Sequence, residues 1–425
     1  MAMKRQRFRT CVGALAASVL ALPLVAAEPA RGTAAKEFAV KSFGAVGDGK
    51  TLGGPAIQKA IDAAAKAGGG TVVVPAGTYV SGALRLASGV TLRLDKDAVI
   101  QASPDSSLFP PVKSRWEGTE SEYPSPLIVA VDANDVTIAG AGTLAGNVRT
   151  VLLKGCRNAR VEGVKLTCRL RWTLHLLYCD GVTVDNCRFE TRGGNTDGID
   201  PDSSRNVVIR RCRFATGDDC IAIKSGKNAE GVKIGRPSEN ITIEDCVMER
   251  GHGGVSIGSE MSGGVRNVTI RRCDISGCGS GIRIKTRKGR GGVIEGITVT
   301  DCRISKTGAA LLVDMLYRYN AGTGLIAGAE GIPAVRRLSC VDITGAGNRK
   351  ALSLVGMPDG IIDGIVLKNV KLTGGAPGRI ANAKGVVAEG LSLDGAPEFV
   401  NVKGTGLPAA EARPAEGRGG ARRVQ

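Results

Sequence analysis

Apolar and polar residues alternate in short runs along most of this chain. Five of the runs share one pattern: 182–187 (VTVDNC), 207–212 (VVIRRC), 241–246 (ITIEDC), 268–273 (VTIRRC) and 297–302 (ITVTDC). Alternation with period two predicts strands with one buried face. The closing cysteines follow one another at steps of 25, 34, 27 and 29 residues. Self-similarity at a period of about 20–50 residues predicts stacked units, each one rung of a solenoid. Weaker copies occur at 71–74, 78–80, 90–94, 98–100, 136–139, 159–166, 338–343, 360–370 and 385–393. Their spacing suits several strands per coil better than hairpins with short turns. One segment, 55–67, is helical in pattern: Ile57, Ile61 and Ala64 share a face, Pro55 stands near the start, and Gly68, Gly69 and Gly70 end it. A helix there would plug the open apolar end of the coil. The predicted fold is all-β, a parallel β-helix with a short N-terminal capping helix.

Composition agrees. Of 425 residues, 61 are glycine and only 3% are aromatic, as many short strands joined by tight turns require. The ends differ from the middle. Lys4, Arg5, Arg7 and Arg9 precede an apolar stretch at 11–25 and the small residues Ala26 and Ala27. This reads as a cleaved export signal, too short for a membrane span of about 20 residues. The tail 408–425, of low complexity, reads as disordered. The expected organisation is a signal peptide at 1–27, a linker at 28–37, a catalytic β-helix at 38–407 and a basic tail at 408–425, in a protein exported to the periplasm or the medium.

Formal charge is +17, and the leader and tail account for only +6 of it. A basic exported protein meets polyanions. Scarce aromatics argue against nucleic acid, so the readings that stand are an acidic polysaccharide partner and a basicity that only aids solubility. Loss of Cys11 with the leader leaves eleven cysteines, an odd number. Five recur at one repeat position, where a ladder of small buried side chains is expected rather than a disulfide framework.

Four segments carry the candidate chemistry, each a few residues beyond a repeat strand: 195–198 (NTDG), 217–219 (GDD), 251–253 (GHG) and 283–285 (RIK). Neighbouring strands lie ~4.8 Å apart, so successive rungs would gather Asp197, Asp218, Asp219, His252, Arg283 and Lys285 in one patch. Crowded carboxylates cannot all ionise, and an acid that keeps its proton beside an ionised partner is what glycoside hydrolysis needs. His252 sits among glycines that would let a ligand come close. Arg283 and Lys285, two apart on a strand, share a face and suit a substrate carboxylate. Only two histidines occur, His175 and His252, and no compact CxxC pair, so no zinc site is expected.

In this order and spacing the four segments resemble the signatures of the polygalacturonase family of glycoside hydrolases. The sequences at 172–175 (WTLH), 197–201 (DGIDP) and 254–265 (GVSIGSEMSGGV) resemble bacterial members, the last two those that are exo-acting; those at 43–50 (FGAVGDGK) and 74–79 (VPAGTY) resemble the family's N-terminal region. The resemblance covers roughly residues 38–319. It implies a right-handed, single-stranded parallel β-helix that cuts α-1,4-galacturonosidic bonds by inversion, without metal or cofactor. Asp218 matches the general acid, Asp197 and Asp219 the pair that holds and deprotonates water, and His252 the residue tuning the acid. Arg283 and Lys285 match the carboxylate binders, with Asn195 and a tyrosine, Tyr317 or Tyr319, in the substrate site. The chain departs from the family after Leu144 and at Leu170 and Arg171, which would border outer subsites. The expected partner is pectin or oligogalacturonate, met by a monomer. The rival readings are a pectate or rhamnogalacturonan lyase on the same coil and a non-catalytic polysaccharide-binding β-helix.

Overall fold

The computed structural model describes residues 36–147 and 149–408. The signal peptide, nearly all of the linker and all but Pro408 of the tail lie outside them. The described chain winds into one continuous sheet of 34 strands, paired almost wholly in parallel from rung to rung. It is a parallel β-helix with three faces. The five cysteine repeats lie on the first face in strict register: Val182 pairs with Val207, Val207 with Ile241, Ile241 with Val268, and Val268 with Ile297.

Each repeat ends at a corner. Asn186, Arg211, Asp245, Arg272 and Asp301 all adopt left-handed backbone (φ 51–55°), turning the chain so that the next residue, the cysteine, points inward. All eleven described cysteines are buried and unbridged. Their thiols point back at carbonyls, as Cys187 Sγ does to Val161 O at 3.3 Å. A ladder of small apolar side chains therefore fills this corner. On the second face Phe189 and Phe214, on successive rungs, stack with centroids 4.9 Å apart. The segment 159–166, expected as one rung, turns a corner: Arg157–Glu162 belongs to the first face and Lys165–Cys168 to the second. Gly163 (φ +73°) makes the bend.

The helix Gly54–Lys66 buries Ile57, Ala60, Ile61 and Ala64 against the first rungs, as a cap should. No described helix is long and apolar enough to cross a membrane. An antiparallel hairpin, Pro111–Trp116 with Thr119–Pro124, interrupts the parallel pairing. Its two-residue turn, Glu117 (φ 47°) and Gly118 (φ 81°), has both residues left-handed, the geometry that suits the twist of a hairpin. Arg115, wholly buried near the hairpin's tip, donates to Asp202 at 2.6 Å and also to Tyr178. The hairpin is thereby pinned beside the third face.

Candidate active site

The four segments enter or form the third face on consecutive rungs. Ile199 pairs with Ile221, Ile221 with Val255, and Val255 with Ile282. These four side chains point into the core. Asp197 and Asp219 each stand two residues earlier, at the bend, and are stacked by that register. On the next rungs their column continues through Gly253 and Ser280. A Cβ on Gly253 would lie 2.8 Å from Asp219 Oδ1, and one on Gly251 2.9 Å from Asp218 O. The glycines around His252 thus make room for the neighbouring rung, and Gly251 also lines the hollow beside His252. One residue further along, Ala222, Ser256 and Arg283 form one row, of which the Arg283 guanidinium reaches the cleft.

Asp218 lies at the rim. Its Oδ1 faces His252 Nδ1 at 3.3 Å, and its Oδ2 accepts from the Asn195 backbone at 3.1 Å. Burial works to raise the Asp218 pKa, but the His252 contact and nearby Lys285 outweigh it and hold the carboxyl below its usual range. His252 is raised in turn, chiefly by that hydrogen bond. Asp219 is buried, yet Lys285 at 2.8 Å and Arg283 at 3.9 Å pull its pKa to about 2. Asp197 goes the other way. Burial, with Asp219 and Asp218 nearby, pushes it up to about 7 against the pull of Lys224. The crowded carboxylates do separate in acidity, with Asp197 pushed up by burial and Asp218 held down by His252.

Sequence reasoning missed a buried cation. Lys224 Nζ lies 3.4 Å from Asp197, 3.4 Å from Asp200 and 3.9 Å from Glu260. It also stands 4.6 Å from the centre of the Trp172 ring. The signal lay in the rung spacing, which pairs Asp202 with Lys224 and brings the end of the short run 221–224 (IAIK) to the cleft. Burial pushes Asp200 well up as well, so Lys224 faces two carboxyls that hold protons readily. This gives a testable linkage. Asp197 binds a proton in the folded state up to about pH 7 but in the unfolded chain only to about 3.8, so stability falls as pH rises through that window. Asp197→Asn removes the fall. Chemical denaturation at stepped pH should show the variant gaining on the parent between pH 4 and 7, by a few kcal/mol at the upper end. A pH-independent difference would count against a buried neutral Asp197.

Tyr317 lies 5.6 Å from the Arg283 guanidinium and 5.8 Å from Lys285 Nζ, while Tyr319 stands beside it with 75% of its surface exposed. Both line the cleft, of about 490 Å³, with Asn195, Asp197, Asp218, Asp219, His252, Arg283 and Lys285. Every residue expected in the site is therefore on its wall, and Tyr317 is the tyrosine packed on the cations. His175 is elsewhere: wholly buried against Asp202, with its pKa lowered by burial to about 4. Asp218, Asp219 and His252 bring one ligand atom each within 4.8 Å of one another. They suit a divalent cation poorly, because Lys285 already neutralises Asp219 and a hard cation such as calcium takes about 6–8 oxygen ligands.

The sequence profile of glycosyl hydrolases family 28 matches residues 66–390, well past the stretch in which the resemblance is visible by eye. A probable polygalacturonase of Vitis vinifera is 31% identical over 360 residues, covering 78% of this chain and 73% of its own length. An endo-polygalacturonase of Pectobacterium carotovorum is 27% identical over 361 residues, covering 77% of this chain and 85% of its own. Among solved structures, an exopolygalacturonase from Thermotoga maritima superposes with a TM-score of 0.73 at 29% identity, covering 87% of this chain and 92% of that one. The lyase and pure-binder readings fall away, and the chain belongs to glycosyl hydrolases family 28, as a glycosidase of the polygalacturonase type.

Proposed function

We propose that this cleft hydrolyses α-1,4-galacturonosidic bonds from a chain end, with Asp218 as acid and Asp219 as base. The observation that carries the reading is the meeting of three carboxylates, an imidazole and two cations in one cleft of a family 28 coil. The acid's proton is first held by His252, whose hydrogen bond with Asp218 raises its pKa. A sugar covering the pair makes charge separation costly, so the proton passes across the 3.3 Å contact from Nδ1 to Asp218 Oδ1. Asp218 then donates it to the leaving glycosidic oxygen. Asp219, kept ionised by Lys285 and Arg283, takes a proton from water, and protonated Asp197 orients that water. Nearest carboxylate oxygens of Asp218 and Asp219 lie within 4.8 Å. Inverting carboxyl pairs are usually about 6.5–9.5 Å apart, so spacing alone does not argue for inversion. Burial does: Asp197 and Asp219 are 3% and 1% exposed and tied to cations, which leaves neither free to attack a sugar carbon.

End-wise attack is supported by a wall along the cleft. The hairpin tip at Gly118 abuts Lys227 and Glu260. Lys227 Nζ donates to Asn320 at 3.0 Å, and Asn228 donates to Ala321 O and Thr323 O at 2.9 and 2.6 Å. Hairpin, short helix Asn228–Ile234 and the segment 317–323 thus join, and a chain running through in both directions would meet them. We place the enzyme outside the cytoplasm after removal of 1–27, acting as a monomer on pectin and not on nucleic acid. Products from polygalacturonate test the mode: monogalacturonate or one short oligomer should dominate from the first minutes. A broad early ladder with collapsing viscosity would mean endo action. In the same assay, Lys285→Met and Arg283→Gln should lower kcat/KM on polygalacturonate by about 10²-fold, and on its methyl ester much less. Equal losses on both would mean that these cations act through Asp219 and not on the substrate carboxylate.

A further inference from the structure

Beside the catalytic cleft runs a larger groove that the proposed reaction does not use. It has a volume of about 1120 Å³ and crosses the turns between the second and third faces, with Arg169, Arg192 and Arg250 on its walls. A smaller hollow of about 400 Å³, shared by Arg192, Arg250 and His252, joins it to the catalytic rim. Other exposed arginines on the second face have acid partners: Arg188 with Glu190, Arg213 with Glu249, Arg303 with Asp274. Glu190, the acid in the groove, is itself already paired with Lys165 and Arg188. Arg169, Arg192 and Arg250 have no carboxylate within ion-pair distance among the described residues.

Arg250 is the most telling. Its guanidinium donates to the carbonyls of Thr216 (3.2 Å), Thr191 (3.0 Å) and Ala215 (2.8 Å), while the residue stays exposed. Three carbonyls fix its direction without neutralising its charge. A cation held still and left unpaired has already lost the side-chain freedom that anion binding would cost. The position of the groove matters too. The hollow that leads into it is lined by His252 and by Gly217, the residue before Asp218, on the side of the acid where the leaving half of a cleaved chain must lie.

We infer that this groove is a second binding track for uronate carboxylates, holding the part of the polymer that extends beyond the scissile bond. The inference rests on the proposed hydrolysis of galacturonate chains. Arg250 anchors the first carboxylate outside the catalytic cleft, and Arg192 and Arg169 meet later ones. Short substrates occupy the cleft alone; long ones gain the track, which raises polymer affinity without changing the bond-breaking step.

The test uses the full-length protein with Arg169→Gln and Arg192→Gln together, both exposed and outside the catalytic cleft, and a charge-reversed pair, R169E/R192E. With trigalacturonate, kcat and KM should stay within about twofold of the parent. With polygalacturonate, KM should rise about tenfold for the Gln pair and further for the Glu pair, at constant kcat. Binding of a labelled decagalacturonate to D218N, with and without the Gln pair, should weaken by the same factor. Equal changes on trimer and polymer, or none on either, overturn the track. If the parent releases no galacturonate yet decamer binding still falls, the track stands and the hydrolase reading is what fails.

Discussion

Replacing Asp218 by Asn should reduce turnover of polygalacturonate by about 10²–10⁴-fold while leaving the affinity for substrate and the thermal midpoint almost unchanged. Asn preserves volume and still accepts from the Asn195 backbone, so the rim keeps its shape. What it lacks is a transferable proton. The pH profile separates this role from a structural one. In the parent, activity should fall at high pH as the shared His252–Asp218 proton is lost, and the high-pH limb should be absent from whatever activity the Asn variant retains. Loss of substrate binding in step with turnover would make Asp218 a binding residue instead.

The second large effect is expected at Lys224, which no motif announces. Lys224→Met leaves Asp197, Asp200 and Glu260 buried together without their cation. Breaking a buried charge pair from one side costs about 3–5 kcal/mol. The pH dependence has a definite sign. Removing the cation raises the folded pKa of Asp197 and Asp200, already held up by burial, and takes from Glu260 the charge that holds its own pKa down, so the folded state retains protons the unfolded chain has released. The deficit should be least near pH 4 and grow towards pH 7 and above, as read from denaturation midpoints. Activity should fall with it, since Asp197 loses the contact that fixes it. A deficit independent of pH would mean that Lys224 acts through packing against Trp172 alone.

The contrast between these two residues shows what a sequence of this kind displays. Asp218 was legible because it belongs to a local segment, and because the cysteine repeats tie that segment to a rung. The capping helix and the first-face strands were legible for the same reason: alternation and helical spacing are local. Lys224 was not, because its meaning depends on Asp197, Asp200 and Glu260, brought to it by neighbouring rungs and by the turn after Ile257. The hairpin at 111–124 escaped as well. Its strands are mostly polar, so no apolar alternation marks them, though Glu117-Gly118 between two strand-length runs was a usable turn signal. The proton at Asp197 was beyond reach, since burial decides it and burial is a property of the finished coil.

The unbridged cysteine ladder has a consequence for how the coil comes apart. The eleven thiols run from Cys156 to Cys340, all buried, with none in the described chain before Cys156. Rungs in such a coil are held by their neighbours, and an end can fray while the middle stays wound. Each thiol becomes reactive only when its own corner opens. The protein therefore carries a graduated scale along its axis, on which the order of labelling would read out the order of unwinding, without any foreign probe.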